Sequence, residues 1–223
     1  EIKNPLTPIQ LTIDQIKNKY LNRFSDKDQI NFNENLKIIN NQIKQIENLV
    51  NEFSDFARMP KPILKDNDLI KILDENIHLL SKIDKSIKIN LIKNESKIIL
   101  KSDKEQLSRV FFNLIKNSIE SIQQKAEKAT NFEKKISIEI LVNNEHIKII
   151  LIDNGMGFKN LKGKITDILN PYYTTKKNGT GLGLSIVNKI INDHDGELSF
   201  SSISDGAKIE INFKLNGNRN FNS

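Results

Sequence analysis

The stretch KEQLSRVFFNLIKNSIESIQQ, residues 104–124, predicts a long helix with two chemically different sides. At about 100° of rotation per residue, its apolar side chains fall on one side. These are Leu107, Phe111, Leu114, Ile115 and Ile122. The opposite side carries Arg109, Asn113, Lys116, Asn117 and Glu120. Asparagine is a poor helix former, because its side chain competes for backbone hydrogen bonds. The polar side is therefore either a plain solvated face or a site that offers amide oxygens to a hydrated cation and a lysine to phosphate.

The residues around this helix predict a domain of mixed α and β structure. Ser102 and Glu105 match a capping box, which would begin the long helix. Further helices are predicted at 69–80 and 181–193, and strands at 86–92, 97–100, 135–142, 146–153, 197–203 and 207–215. A long loop is predicted over roughly 154–180. Runs of strands with helices covering one face make an α+β sandwich.

Residues 1–58 predict two helices with narrow apolar seams. The seams contain Leu6, Ile9, Ile13, Ile16 and Tyr20 in the first helix, and Leu36, Ile39, Ile43, Ile46, Val50 and Phe53 in the second. Such spacing is typical of coiled coils and helical bundles. Because two helices alone bury little surface, we expect the hairpin to dimerise into a four-helix bundle. Packing of the hairpin against the rest of the chain is the alternative.

The two helices have recognisable limits. Ser25 and Asp26 are residues of the type that caps a helix N-terminus, and they precede the second helix. Pro60 and Pro62 cannot continue that helix, and the residues before them favour extended backbone. These prolines therefore mark the clearest domain boundary.

The composition excludes several classes of protein. The 223 residues suffice for one or two domains with a core of their own. The formal net charge is +6, but acidic residues are interspersed and no basic run contains aromatics, which favours a solvated lysine-rich surface over nucleic-acid binding. The absence of cysteine excludes disulfides, thiol nucleophiles and cysteine-ligated metals. No run of 18 apolar residues occurs, so no membrane span is predicted within the sequence.

Three histidines occur, at His78, His146 and His194. None of them lies in the first predicted helix, and their spacing does not suggest a metal site. Structural roles are therefore expected for all three. His194 follows a predicted helix, where a positive charge is favourable.

Two glycine motifs follow the long helix. In LIDNGMGF, residues 151–158, a strand is predicted to end at Asp153, just before Gly155 and Gly157. Glycine lets the backbone turn sharply and approach a flat ligand closely, and a carboxylate at a strand end can accept from an exocyclic amine. A tight turn of Asp-Asn-Gly chemistry explains this motif equally well.

The second glycine motif, NGTGLGLSIV, residues 178–187, begins a predicted helix. Gly179, Gly181 and Gly183 would expose backbone N–H groups at the positive end of that helix, which suits phosphate. The motif is neither a P-loop nor the dinucleotide fingerprint. No HRD or DFG motif of protein kinases is present either. Taken alone, a glycine-rich turn is weak evidence for a site.

The order and spacing of these motifs are more specific than any one of them. Asp153 comes 36 residues after Asn117, and Gly179 comes 26 residues after Asp153. This arrangement resembles the N, G1 and G2 boxes of the GHKL ATPase and histidine-kinase superfamily. NPYYTTK, residues 170–176, resembles the lid segment of that family. The resemblance implies a Bergerat-type GHKL α/β sandwich.

The N-terminal helices extend the resemblance to about residues 1–216. EIKNPLTPIQL, residues 1–11, resembles the H-box of sensor histidine kinases, in which Pro5 would bend the phosphoacceptor helix. LVNEFSDFARMPKP, residues 49–62, resembles the second dimerisation helix of NtrY-like nitrogen-regulation sensors. The phosphoacceptor histidine would stand immediately before Glu1, so the printed sequence lacks it.

The resemblance also implies roles for individual residues. Glu1 would be the base that activates the histidine, and Asn4 would orient water when the kinase acts as a phosphatase. Asp153 would bind the adenine amine, and Asn117 would supply a ligand to Mg²⁺. Among the remaining ATP-binding residues, Asn113 would face the phosphates and their metal shell, and Lys116 would neutralise phosphate charge. The pocket and lid would contain Gly155, Gly157, Lys176, Gly179, Thr180, Gly181, Leu182 and Gly183.

Three positions depart from relatives. Ser118 stands where many histidine kinases carry alanine, and Asp195 stands where they often have glycine. The GHKL hydrolases carry glutamate in place of Asn113, so their general base is absent here.

The resemblance implies the core of a two-component sensor histidine kinase. Residues 1–60 would form the dimerisation and phosphotransfer hairpin, residues 61–217 the catalytic ATP-binding domain, and residues 218–223 a tail. With Mg²⁺ bound, the γ-phosphoryl group of ATP would pass to a histidine and then to an aspartate of a response regulator. Two alternatives remain open, namely a dimeric ATP-binding scaffold without a phosphoacceptor and a GHKL ATPase with steady hydrolysis.

The expected partners follow from the same resemblance. They are a second copy of the chain, bound through the helical hairpin, and the receiver domain of a response regulator. No nucleic acid is expected. The core would be cytoplasmic, and segments outside this sequence would anchor the full-length protein in the inner membrane.

Overall fold

A computed structural model describes residues 6–21, 25–129, 131–158, 161, 163–176 and 179–215. Over these residues the chain divides into two compact units. The first unit contains the chain up to Met59 together with the segment Lys176–Leu182. The second contains Pro60–Thr175 and the chain from Gly183 onward. No helix in the described ranges combines the length and the apolar character needed to cross a membrane.

The first unit is built on two helices, as the apolar spacing predicts. Helix α1 spans Leu6–Tyr20 and helix α2 spans Asp26–Ala57. The Ser25 side chain accepts a hydrogen bond from the backbone N–H of Asp28 and caps α2, as expected. The core that joins the two helices contains Ile13, Leu36 and Ile43, with Leu6 and Phe32 packed against it.

The apolar seam of α2 divides into an inner and an outer row. In the inner row, Leu36 and Ile43 are 7% and 5% exposed. The outer row, which consists of Ile39, Ile46 and Phe53, is 44–46% exposed. Three seam residues of α1 are exposed as well, namely Ile9, Ile16 and Tyr20. The inner row therefore holds the hairpin together, while the outer row is exposed apolar surface.

Seven strands lie in the described part of the second unit. They are β1 (Lys65–Asp68), β2 (Lys88–Lys93), β3 (Ile99–Ser102), β4 (Lys135–Val142), β5 (His146–Asp153), β6 (Gly196–Ile203) and β7 (Gly206–Lys214). Five of them form one sheet in the order β2-β4-β5-β7-β6, in which only β2 and β4 are parallel. Strands β1 and β3 form a separate antiparallel pair.

Helices cover one face of the large sheet. They are α3 (Leu69–Leu80), α4 (Lys104–Ala126) and α5 (Gly183–Asp193), and α4 contacts both of the others. Every second residue of the central strands is buried beneath them. These residues are Ile136, Ile138, Ile140, Ile147, Ile149, Leu151, Ala207, Ile209, Ile211 and Phe213. The predicted α+β sandwich is confirmed, and the apolar side predicted for α4 is its buried side.

The structure corrects the predicted start of α4. Asp103, not Ser102, is the cap, because its carboxylate accepts from the N–H groups of Glu105 and Gln106, both at 3.1 Å. Ser102 ends β3, and its hydroxyl donates to Leu100 O at 3.1 Å. Serine and aspartate are both good caps, so the sequence pattern placed the start one residue too early.

Three smaller differences concern the bounds of elements. Strand β1 was not predicted, because its sequence KDND contains no β-forming residue and its strand conformation comes from pairing with β3. The loop predicted at 154–180 contains a 3-10 helix over Ile165–Leu169. Helix α5 begins at Gly183 rather than Gly181, whose φ of 72° lies outside the helical region.

Candidate functional site

Asp153 lies at the end of β5, and only 3% of its surface is exposed. Its Oδ1 accepts from the backbone N–H of Gly155 at 3.0 Å, and its Oδ2 accepts from the Ser118 hydroxyl at 3.0 Å. Burial raises the pKa of the Asp153 carboxyl, while these two hydrogen bonds favour its ionised form. A buried carboxylate with an acceptor position still available is suited to binding an amine donor.

The turn that follows Asp153 is fixed against α4. The Ser121 hydroxyl accepts from the backbone N–H of Met156 at 2.9 Å. Gly155 lies so close to the helix that a Cβ atom there would come within 2.7 Å of the Ser121 carbonyl carbon. Only glycine therefore allows the turn to approach α4 this closely.

Gly157 is constrained from the other side. Its φ is 63°, in the left-handed region, and a Cβ atom there would lie 2.9 Å from the carbonyl carbon of Gly206 at the start of β7. Glycine is favoured here by both conformation and space. The two motif glycines thus hold the turn between α4 and the β6–β7 connection.

The polar side of α4 meets the first residue of α5. A Cβ atom on Gly183 would lie 3.7 Å from Asn113 Oδ1, which is ordinary van der Waals distance. Lys116 Nζ lies 3.9 Å from Glu120 Oε1. Asn117 lies one turn after Asn113 on the same helix and is partly exposed. Helix α4 therefore carries the predicted phosphate and metal residues and also, through Ser118, reaches Asp153.

Five predicted site residues belong to the first unit, namely Lys176, Gly179, Thr180, Gly181 and Leu182. Lys176 O accepts from the N–H of Gly179 at 3.3 Å. The Thr180 hydroxyl accepts from the N–H of Leu182 at 3.4 Å and donates to the carboxylate of Glu52 on α2. This segment is therefore bonded to the helical hairpin in this structure.

Other predicted groups can be placed only in part. Glu1 and Asn4 lie outside the described residues. Within the described ranges, no group of three or more histidine, aspartate or glutamate side chains is arranged to hold a metal ion. The predicted Mg²⁺ ligand, Asn117, is accordingly a single amide oxygen rather than part of a carboxylate cluster.

Two family models match the two parts of the chain. The His Kinase A (phospho-acceptor) domain matches residues 1–62, and the histidine kinase-, DNA gyrase B-, and HSP90-like ATPase matches residues 102–217. This chain belongs to the histidine kinases. The ATPase match assigns residues 102–217 to an ATP-binding domain, and the expected family is confirmed.

Curated relatives of this chain include nitrogen-regulation sensors. The NtrY-like sensor histidine kinase of Rickettsia conorii is 34% identical over 217 residues, which cover 96% of this chain and 34% of the relative. The nitrogen regulation protein NtrY of Azorhizobium caulinodans is 33% identical over 219 residues, which cover 97% of this chain and 28% of the relative. The chain therefore spans about a third of the length of these relatives.

Solved structures support the same fold. Histidine kinase ThkA, in complex with the response regulator protein TrrA, matches with a TM-score of 0.67 at 21% identity over 96% of this chain and 59% of that one. Full-length ShkA, in complex with AMPPNP, matches with a TM-score of 0.66 at 17% identity over 96% of this chain and 43% of that one. At these identities the likeness shows the fold.

Two residues that hold the site were not predicted from the sequence. Ser118 was noted only as a departure from relatives, and Ser121 was not singled out. A usable signal did exist, since Ser118 lies among the apolar positions of α4, three residues after Ile115 and four before Ile122. A polar side chain buried on such a face needs a hydrogen-bond partner, and here that partner is Asp153.

Proposed function

We propose that this chain is the catalytic core of a sensor histidine kinase that binds Mg·ATP in its second unit. The observation that carries the proposal is the buried Asp153 carboxylate, which is bonded to Ser118 on the helix that also presents Asn113 and Asn117. The fixed Asp153 carboxylate beside α4 suits an adenine base, and the amides along the polar side of α4 suit a phosphate chain. The names of the relatives, which are sensor histidine kinases, support the same activity.

The phosphate end of the nucleotide would lie along α4 and the start of α5. Asn113 lies beside Gly183, where the first backbone N–H groups of α5 have no partner within the helix. Such N–H groups favour anions, and the Lys116 ammonium adds a positive charge on the same side of α4. The AMPPNP complex of ShkA supports a nucleotide in this fold.

Mg²⁺ would be held through Asn117. This cation keeps several water ligands and is usually bound by one or two protein oxygens together with substrate phosphates. A single amide oxygen on α4 fits that pattern without an acidic cluster. When bound, the metal would neutralise charge on the phosphates.

In the proposed reaction, an imidazole nitrogen attacks the γ-phosphorus of ATP, and the bond to the bridging oxygen breaks to release ADP. The imidazole belongs to the histidine that the resemblance places before Glu1. Glu1 would accept its proton. In a separate phosphatase reaction, Asn4 would orient the water that hydrolyses the phosphorylated aspartate of the response regulator. Catalysis of this kind depends mainly on positioning and charge neutralisation. An aspartate on a response regulator would then receive the phosphoryl group, as the complex of ThkA with TrrA supports.

We further propose that the helical hairpin forms a homodimer. The outer row of α2, Ile39, Ile46 and Phe53, is apolar and exposed, and it continues the spacing of a helical bundle. In the full-length protein, this core would face the cytoplasm, and segments outside the present sequence would anchor it in the inner membrane.

Two measurements test the proposed function. Calorimetry should detect ATP binding by the unchanged chain, and Asp153→Asn should weaken it by about 1–3 kcal/mol, because a hydrogen bond to a buried charged group is disturbed. If the variant bound ATP with the same affinity as the unchanged chain, Asp153 would not be part of the ATP site. Gln124→Ala, an exposed change on the same helix, is the control.

The second measurement concerns phosphorylation. The 223-residue chain should bind ATP without labelling itself, whereas a chain extended upstream by native residues that end in the histidine should acquire acid-labile, base-stable label. Binding without label on the extended chain would favour the scaffold. Steady phosphate release without label would favour the ATPase. Label on His78, His146 or His194 would overturn the H-box assignment.

A further inference from the structure

Ser118 occupies an unusual place on α4. It is 1% exposed, although it lies in the middle of the helix next to the partly exposed Asn117. Its hydroxyl donates to Asp153 Oδ2 at 3.0 Å, so α4 is bonded directly to the carboxylate at the end of β5. Because Ser118 and Asp153 are only 1% and 3% exposed, loss of this hydroxyl would leave a buried acceptor without that partner.

The Asp153 carboxylate is held at more than one point. The N–H of Gly155 donates to Oδ1, and the Ser118 hydroxyl donates to Oδ2. An ionised carboxylate offers about four acceptor positions. Two protein donors therefore leave acceptor positions for a ligand. A carboxylate held in this way cannot rotate to suit a different base without losing a bond.

We propose that Ser118 is a positioning residue for base recognition, because its hydroxyl holds Asp153 in the orientation that selects a 6-amino purine over a 6-oxo purine. This inference rests on the proposed function and names the feature that sets its specificity. An amino group at that position of the base donates to the carboxylate. A carbonyl oxygen there would face a second acceptor, which leaves a buried acceptor unpaired and two negative groups in contact.

Removal of the hydroxyl should act on selectivity rather than on binding in general. In Ser118→Ala, Oδ2 loses its buried donor and the carboxylate gains freedom to rotate. ATP should then bind about tenfold more weakly, since one hydrogen bond to a charged group is lost from the positioned acceptor. ITP carries a carbonyl at the 6-position and cannot donate to that acceptor, so its affinity should change little. The ratio of ATP to ITP affinity should therefore fall about tenfold.

Ser108 offers a matched control on the same helix. Its hydroxyl accepts a hydrogen bond from Asn76 Nδ2 at 2.9 Å, and Asn76 is buried. Ser108→Ala therefore removes one serine hydroxyl and one partly buried hydrogen bond from α4 without touching Asp153. It should reduce thermal stability and leave the ATP to ITP ratio unchanged. Ser118→Cys keeps the size of the side chain with a weaker donor, so its ratio should fall between those of the unchanged chain and Ser118→Ala.

The experiment is calorimetric titration of ATP and ITP into the unchanged 223-residue chain and the three variants, with thermal unfolding recorded for each. A fall in the ratio for Ser118→Ala, but not for Ser108→Ala, supports the inference. Equal weakening of ATP and ITP would show that Ser118 only supports the fold, and would overturn it. Failure of the unchanged chain to bind ATP would instead overturn the proposed function. If Ser118→Ala did not fold, an unchanged ratio in Ser118→Cys would overturn the inference.

Discussion

The backbone N–H of Asp103 donates to Nε2 of His194 at 2.9 Å, and this bond joins the start of α4 to the end of α5. His194 Nδ1 lies 2.8 Å from Ile190 O. With Nε2 accepting in this bond, Nδ1 carries the hydrogen that is directed at Ile190 O. His194 therefore holds together the two helices that carry Asn113 and Gly183.

Asp103 is predicted to be important for stability. Its carboxylate caps α4 and also accepts from the N–H of Ile63 at 2.9 Å, which joins the chain after α2 to the helix. Burial opposes ionisation, but the hydrogen bonds from Ile63, Gln106 and Glu105 lower the pKa of Asp103 overall. Asp103→Ala should reduce the free energy of unfolding by about 1–2 kcal/mol.

Urea unfolding measures that change, with Asp103→Asn as the matched variant. Asparagine retains an oxygen that can cap the helix, so the loss should be smaller than with alanine. A loss with asparagine as large as that with alanine would mean that capping is not the source of the stability.

The ionisation of Asp84 should make the free energy of unfolding depend on pH in the acidic range. The Ser86 hydroxyl, at 2.6 Å, is the main reason that the pKa of Asp84 falls to about 2, and burial opposes it. In the folded state the pKa of Asp84 is below its usual value of 3.8. The ionised carboxylate therefore stabilises the fold fully above pH 3.8, and this stabilisation is lost as the pH falls through about 2.

Ser86→Ala should accordingly reduce the free energy of unfolding by about 1 kcal/mol at pH 7, after allowance for screening by solvent, and by less at pH 2.5. Urea unfolding at both pH values tests this. Ser81→Ala is the control, because the Ser81 hydroxyl donates to the carbonyl of His78 and not to a carboxylate. A Ser86→Ala effect that did not change between the two pH values would contradict the assignment.

The two rows of α2 predict different effects of charge. Ile39→Asp with Ile46→Asp places charges in the exposed outer row, where burial in a dimer would be costly, so sedimentation should report a folded monomer. Ile43→Asp should instead unfold the hairpin, since Ile43 is in its core. Asn41→Asp, an exposed change on the opposite side of the helix, is the control and should remain dimeric. An unchanged chain that is monomeric at tens of micromolar, roughly where modest coiled coils assemble, would contradict the dimer.

Asn117 should govern the effect of Mg²⁺ on nucleotide binding. Asn117→Ala should retain ATP affinity in the presence of a chelator and lose most of the increase that Mg²⁺ produces, because one metal ligand is removed. Titration of ATP with and without Mg²⁺ measures the difference, which we expect to be about tenfold. The control is Asn188→Ala, which removes an amide side chain that lies on α5. An unchanged Mg²⁺ effect in Asn117→Ala would exclude Asn117 as a ligand.

The backbone conformation of Asp195 is predicted to lower the free energy of unfolding. Its φ is 55°, in the left-handed region, in the turn between α5 and β6. Glycine adopts this conformation without a Cβ penalty, so Asp195→Gly should raise the free energy of unfolding by about 0.5–1 kcal/mol. Thermal unfolding measures the gain, with Glu197→Gly, in the extended strand β6, as a control that should be destabilising. A loss of stability in Asp195→Gly would mean that its side chain stabilises the turn.

Local patterns in the sequence were enough to predict most elements of this protein. The apolar spacing predicted α2, α3 and α4 within a few residues. Strict alternation predicted β7, and β4 and β5 were predicted as paired strands. These patterns can be recognised because helices and strands repeat every 3.6 and 2 residues. The order of the asparagine and glycine motifs likewise identified the family, since each motif lies within one short segment.

Contacts between distant segments decided the rest. Strand β1 exists through its pairing with β3, and the Asp103 cap was distinguished from Ser102 only by geometry. The seam of α2 is uniform in sequence, but packing against α1 buries Ile43 and leaves Ile46 exposed. The bond from Ser118 to Asp153 joins residues 35 positions apart. Such a bond depends on how a helix and a strand pack, and periodicity within either segment carries no information about its partner.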